Sequence, residues 1–261
     1  MVRESKRSLY SLLPEYQNGV STEEYEVIAL DNGSSSPLDS AWIESLSSNF
    51  RYRYFDTNSV SPCEAINDAV SHASAEHVLI LIDGARIISP GILKYSMMIA
   101  ELFPRYFAYS IAMHLGNESQ NISMLKGYNQ EKEDELLETI NWKKNGYSLF
   151  SISCLAGSSR GGFLKQPAES NCFVMSKADF LEVGGYEERF QAPGGGAANL
   201  EFFNRVNAND EIQPVMLLGE ASFHQFHGGV TTNVPPDEHP REANQKEFNE
   251  IKKTPYELFK R

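Results

Sequence analysis

Short apolar runs alternate with amphipathic stretches along the chain. Leu9, Leu12 and Leu13 behind Ser5 and Lys6 predict an opening helix that ends before Asn18-Gly19. Tyr25 to Leu30 predicts a buried strand, stopped by Asp31-Asn32-Gly33-Ser34. Next come a helix over 39–47, a strand over 52–55 and a helix over 61–75, capped by Ser61 with Pro62 in its first position. A near-continuous apolar run from His77 to Ile82 ends at Asp83-Gly84, so two predicted strands end in an aspartate. A helix over 90–102 and a strand over 106–113 complete the first half. In the second half Glu131 to Glu135 opens a helix to Trp142, its charges suited to a solvated first turn. Gly157 to Gly162 reads as a loop, without the lysine-serine pair of a phosphate cradle. A strand over 171–175, a helix over 177–183 stopped by Gly184-Gly185, a glycine-rich turn leading to a helix up to Arg205, and strands over 215–218 and 221–226 follow, before a partly helical polar tail from Asp237.

Helices alternating with apolar strands imply an α/β fold with a mostly parallel, Rossmann-like central sheet and helices on both faces. Neither a repeat nor a linker interrupts the 261 residues, which suit a single domain. Ligands of such sheets bind beyond the strand C-termini, where Asp31 and Asp83 fall. Against 35 Asp and Glu stand 23 Lys and Arg, a net charge of −12 that argues against a general nucleic-acid binder. Cys63, Cys154 and Cys172 form no C-x-x-C pair and fit neither a disulfide framework nor a zinc site, which suggests a reducing, cytoplasmic setting. No run approaches the roughly 18–20 apolar residues of a membrane span, so attachment to a membrane is expected to be peripheral at most.

In order, the segments 25–35, 78–90, 183–190, 200–205 and 223–229 resemble a family 2 glycosyltransferase of the GT-A fold. The resemblance implies transfer of a sugar from a nucleotide-sugar, a UDP-sugar by preference, to a carbohydrate or other hydroxyl acceptor. It also implies inversion at the anomeric carbon and a role in surface polysaccharide synthesis. About 1–110 would form the nucleotide-binding half and about 111–261 the acceptor and catalytic half. Asp31, beside Asn32, stands where the family reads the nucleotide base; an Asx-turn residue is the bland alternative. Asp83 matches the first acid of the Asp-x-Asp element that holds Mn²⁺ or Mg²⁺ on the diphosphate, but Ala85 replaces the second acid. Arg86 could then serve the diphosphate with bidentate geometry. His224 and His227 are candidate metal ligands; strand alternation would turn only one inward, and His227, beside the glycines, is preferred.

Asn199 occupies the position of the family's catalytic base, although an amide cannot accept the proton. Glu201 is the nearest carboxylate, about 200° around a helix from Asn199. Either the turn is rearranged and Glu201 is the base, or Glu201 is a positioning group and catalysis is impaired. Gly184 and Gly185 would allow close approach to the donor, while Trp142 and Glu169 are candidates for the acceptor. The family's first strand is not seen before the opening helix, so the strand ending at Asp31 would present an edge that weakens nucleotide binding or pairs with a second chain as a homodimer. Ala85, Asn199 and that strand also favour an alternative, a catalytically impaired GT-A domain acting as a binding or assembly partner. A nucleotidyltransferase is disfavoured because no basic glycine-rich phosphate loop follows a first strand.

Overall fold

The computed structural model describes residues 1–256. The helices are α1 (Val2–Tyr10), α2 (Ser40–Leu46), α3 (Cys63–His72), α4 (Ile92–Leu102), the single turn α5 (Gln120–Ser123), α6 (Gln130–Glu138), α7 (Lys177–Glu182), α8 (Ala198–Asn207) and α9 (Arg241–Lys252). The strands are β1 (Val27–Asn32), β2 (Phe50–Phe55), β3 (His77–Leu81), β4 (Arg86–Ile88), β5 (Tyr106–Leu115), β6 (Ser153–Leu155), β7 (Cys172–Ser176) and β8 (Gln213–His224). Local chemistry explains several boundaries: Asp39 caps α2 through Ala41 N and Trp42 N, Asn129 caps α6 through Lys132 N, and Ser176 caps α7 through Asp179 N. The α3 helix begins at Cys63, leaving Pro62 just outside it rather than in its first turn.

The expectation of a mostly parallel sheet is corrected. β1 and β2 form a parallel pair of their own, and the main sheet runs β3-β7-β5-β8-β4 with β6 on β5. Within it only β5 and β8 are parallel; the β3–β7, β5–β7, β4–β8 and β5–β6 pairs are antiparallel. Strand direction leaves no mark on an apolar run buried on both faces, which is why the pattern of residues did not show it. The two strands expected over 215–218 and 221–226 are one long strand, β8. It bulges against β5, with Tyr109 opposite Met216 but Ile111 opposite Ala221, and Gly219 sits there at φ 83°. Residues 1–26 form α1 and turns, so β1 pairs on one side only among the described residues.

The main core is aromatic. Phe107 and Phe173 from the sheet meet Phe202 and Phe203 of α8, with Phe180 and Tyr186 alongside. Each such ring contributes roughly 1.5–3 kcal/mol by leaving water, and together they fix α8 over one face of the sheet. A second cluster of Leu9, Leu13, Val27, Ile43 and Phe50 joins the end of α1 to the β1–β2 pair. No described helix is long and apolar enough to cross a membrane.

Candidate functional site

Only Ile82 to Ala85 join β3 to β4, and the turn they make places Asp83 at φ 80°, in the left-handed region. Asp83 Oδ1 accepts from Ala85 N at 3.2 Å, which holds the turn. α1 braces it from outside, Ser8 Oγ donating to Gly84 O at 2.8 Å. β8 ends opposite: His224 is the register partner of Arg86 on β4. Past the strand, the backbone N–H groups of His227, Gly228 and Gly229 all donate to Asn233 Oδ1, at 2.9 to 3.1 Å. That loop carries His227 back over the sheet end.

The result brings Asp83, His224 and His227 together. His224 Nε2 lies 3.0 Å and His227 Nε2 3.3 Å from Asp83 Oδ2, and the two imidazole nitrogens are 3.2 Å apart. The expectation that only one histidine faces inward is corrected, because alternation stops where β8 ends at His224 and His227 belongs to a turn. Gln120 decides the tautomer of His224. Its Nε2 donates to His224 O, so its Oε1, which also accepts from Asn233 Nδ2, faces His224 Nδ1 at 2.7 Å and takes that proton. The Nε2 lone pair of His224 is therefore turned on an aspartate oxygen. Two acceptors at that distance repel unless a proton or a cation lies between them.

Burial pushes the His224 imidazolium down to about 4, and the Arg86 charge adds to this, against the hydrogen bond that only the protonated ring would donate to Asp83. Burial would raise Asp83, but the two histidines outweigh it and hold the carboxyl well below its ordinary range. A carboxylate and two imidazole nitrogens suit a borderline divalent cation, Mn²⁺ more than Mg²⁺. Thr232 Oγ1 stands 3.4 Å from His224 Nε2. Beside His227 a cleft of about 410 Å³ opens, lined by Asn129, Gln130, Glu131, Phe226, His227 and Gly228.

Arg86 is 5% exposed; its Nε donates to Ile82 O at 3.1 Å, while Nη1 has no partner among the described residues. Burial lowers its pKa, and the charges of Asp83 and Glu169 oppose that. A buried arginine with an unused donor is a fit for a diphosphate oxygen.

Asp31, next to last in β1, has Oδ2 accepting from Tyr52 Oη at 2.9 Å and Oδ1 accepting from Ser34 N, three residues on, at 2.8 Å, so its carboxylate holds the loop backbone. Asn32 Nδ2 ties down the carbonyls of Ser59 and Ser61. Gly33 sits at φ 67°, with Thr57 O so close that a Cβ would meet it at 2.2 Å. Gly184 and Gly185 close α7, their N–H groups donating to Leu181 O and Phe180 O at φ 88° and 59°.

Glu201 lies apart from the Asp83 group. Its carboxylate is 4% exposed and bound by Arg205 Nε at 2.9 Å and Lys252 Nζ at 2.6 Å, which hold it below its usual range against burial. Asn199 Oδ1 accepts from Tyr186 Oη at 3.1 Å, and its Nδ2 donates to Glu169 Oε2 at 3.2 Å. Trp142 is 5% exposed, edge-on to Tyr10 and Tyr16 in the core, and so offers no face to a sugar. The acidic run at the start of α6 is not wholly solvated: Glu133 is fully buried, because Arg3 and Arg7 of α1 reach it. The residues that orient the site, Gln120, Asn233, Ser8 and Glu133, carry no local motif; only their tertiary partners reveal them.

A family model described as "Glycosyltransferase like family 2" matches residues 13–228. No curated protein matches the chain. Among solved structures, S. aureus TarS 1-349 in complex with UDP is 14% identical, with TM-score 0.55 over 87% of this chain and 57% of that one. The same fragment in complex with UDP-GlcNAc is 15% identical, with TM-score 0.52, over 87% of this chain and 56% of that one. GalNAc-T7 with UDP, GalNAc and Mn²⁺ is 10% identical, with TM-score 0.57, over 86% of this chain and 41% of that one. The chain thus spans little more than half of the TarS fragment, and 35% of a longer TarS chain. These likenesses establish a GT-A fold, and with most of its length matched by the family model the chain belongs to the glycosyltransferase-like family 2.

Proposed function

We propose that the chain moves a sugar from a UDP-sugar to a hydroxyl acceptor with inversion, as a metal-dependent transferase. One observation carries this reading: the His224 lone pair, Asp83 Oδ2 and His227 Nε2 converge within 4.8 Å, with the proton of His224 committed to Gln120. Asp83, His224 and His227 would hold the cation, which when bound supplies Lewis-acid neutralisation of the charge that grows on the leaving diphosphate. Arg86 offers Nη1 to the same phosphates from within the protein. Asp31, its direction fixed by Tyr52, is the acceptor for a base N–H at the end of β1. Glu201, bound to two cations, ties α8 to α9 and is a positioning group in this reading. The complexes of TarS with UDP and UDP-GlcNAc, and of GalNAc-T7 with UDP and Mn²⁺, support the choice of ligand.

Thermal unfolding with UDP, GDP, dTDP or CMP, each with and without Mn²⁺, tests the reading, because a ligand of the native state raises its stability. A rise with UDP that requires Mn²⁺, and is absent in Asp83→Asn, is expected. No nucleotide-dependent rise with any metal would overturn it. The amide at Asn199 favours a second reading, a domain that binds donor without turning it over. Mn²⁺-dependent UDP binding without UDP release from any UDP-sugar would identify that domain.

A further inference from the structure

Asn199 stands in the first turn of α8, where the family resemblance places the catalytic carboxylate, and an amide cannot take the acceptor's proton. Its side chain nevertheless holds a carboxylate. Asn199 Nδ2 donates to Glu169 Oε2, and Asn199 is itself oriented by the Tyr186 hydroxyl. Glu169 Oε1 has no partner among the described residues. The segment around Glu169 is anchored: the next residue, Ser170, is buried and donates to Ser110 O and Cys172 O, both at 2.8 Å. Two residues on, Asn171 O accepts from Ile82 N at 2.9 Å, so this segment runs beside the turn that carries Asp83. Arg86 feels the charges of both Asp83 and Glu169.

The other carboxylates near the sheet are committed elsewhere. Glu201 is bound by Arg205 and Lys252, and Glu220 accepts from Ser89, Gly91 and Tyr147. Glu133 accepts from Phe226 N and faces Arg3 and Arg7, while Asp83 is a member of the metal cluster.

Resting on the transferase reading above, we propose that Glu169 is the general base, held by Asn199 and Tyr186 in place of a carboxylate on α8. Glu169 takes the proton of the acceptor hydroxyl. The acceptor oxygen forms a bond to the anomeric carbon as the bond from that carbon to the diphosphate breaks. UDP leaves with the electron pair, and Glu169 later gives its proton to solvent. Burial raises the Glu169 carboxyl, while Arg86 and Asn199 act against this; Tyr186 and Tyr256 are the other titratable groups that face it. An elevated carboxyl is a stronger base once ionised.

Release of UDP from UDP-GlcNAc with Mn²⁺ and water as acceptor, followed against pH, tests the assignment beside calorimetric Mn²⁺–UDP binding. Glu169→Gln is expected to keep Mn²⁺–UDP affinity within about twofold, to lower kcat by roughly 10²–10⁴-fold, and to lose the limb on which the rate rises with pH. Asn199→Asp in that background returns a carboxylate and is expected to recover at least about tenfold. Wild-type rate and pH profile in Glu169→Gln would overturn the assignment and leave the transferase reading intact. Wild type that binds Mn²⁺–UDP but releases UDP from no UDP-sugar would overturn the base and replace transfer with the donor-binding reading, and wild type that binds no nucleotide would overturn both readings of the site. If Glu169→Gln does not fold, Glu169→Asp replaces it; a lower kcat with a displaced acid limb is expected, and an unchanged profile would overturn the assignment.

Discussion

Asp83 combines a left-handed backbone with a carboxylate on which two histidines converge. Asparagine tolerates that backbone nearly as well as any residue but glycine. Asp83→Asn should therefore fold while losing Mn²⁺ affinity by more than the roughly 10–100-fold typical of losing a residue that only orients a ligand. Calorimetry and thermal unfolding on the same sample separate the two effects. His114 gives a second prediction. Its Nδ1 accepts from Gln120 N, and burial, with His224 and Arg86, lowers it from 6.5 to about 3. A depressed imidazole favours the folded state above the unfolded pKa, so this contribution is whole above pH 6.5 and is lost as pH falls through about 3. Urea unfolding between pH 7 and pH 3 should show a smaller acid loss in His114→Gln; equal losses would remove His114 as the cause. The sequence named Asp83 and both histidines as ligand candidates, because residue type and order suffice for that. It misassigned their facing, because that depends on where the strand ends.

Between elements, α1 and α6 are clasped by charge. Arg3 and Arg7 both bind Asp134, and Arg3 also binds buried Glu133, whose other oxygen accepts Phe226 N beside the histidine loop. Burial raises Glu133 from 4.5 to about 7, against Phe226 N and the two arginines. Here the sign is reversed: the contribution is whole below pH 4.5 and is lost as pH rises through about 7. Glu133→Gln keeps a carbonyl acceptor for Phe226 and should be more stable than wild type at pH 8, on the order of 1–3 kcal/mol, with the difference vanishing at pH 4. Denaturant midpoints at the two pH values check this. At the joint of α8 and α9, Glu201→Gln should cost roughly 1–3 kcal/mol by weakening its bonds to Arg205 and Lys252. Its pH–rate profile should keep the wild-type shape, and loss of the acid limb would return Glu201 to the base role. The acidic run of α6 was legible as a helix start, but Glu133 was not legible as buried, since its counter-charges lie some 130 residues away in sequence.

Across the molecule, stability is unevenly distributed. β5 is buried along its whole length and paired with both β7 and β8, whereas among the described residues β1 pairs with β2 alone. Amide hydrogen exchange should be slowest in β5, with β1 and β2 opening together at lower free energy through their own small core of Leu9, Leu13, Val27, Ile43 and Phe50. Equal protection of β1 and β5 would show that the two sheets open as one. With β1 and β2 opening first, Asp31 moves relative to Asp83, and Mn²⁺–UDP binding should slow exchange in β1 more than in β5.

The sequence by itself determined the kind and order of nearly every long element, because apolar periodicity, caps and glycine stops are local. It also fixed the family, carried by five ordered segments that the family model spans in large part. Tertiary structure alone decided strand direction, which buried apolar runs do not encode, and the merging of two predicted strands into β8. It alone turned both histidines onto Asp83, set the tautomer of His224 through Gln120, tied Glu201 to two cations and brought Glu169 to Asn199. Each of these depends on groups distant in sequence meeting within about 3 Å, a distance fixed only when the whole chain has packed.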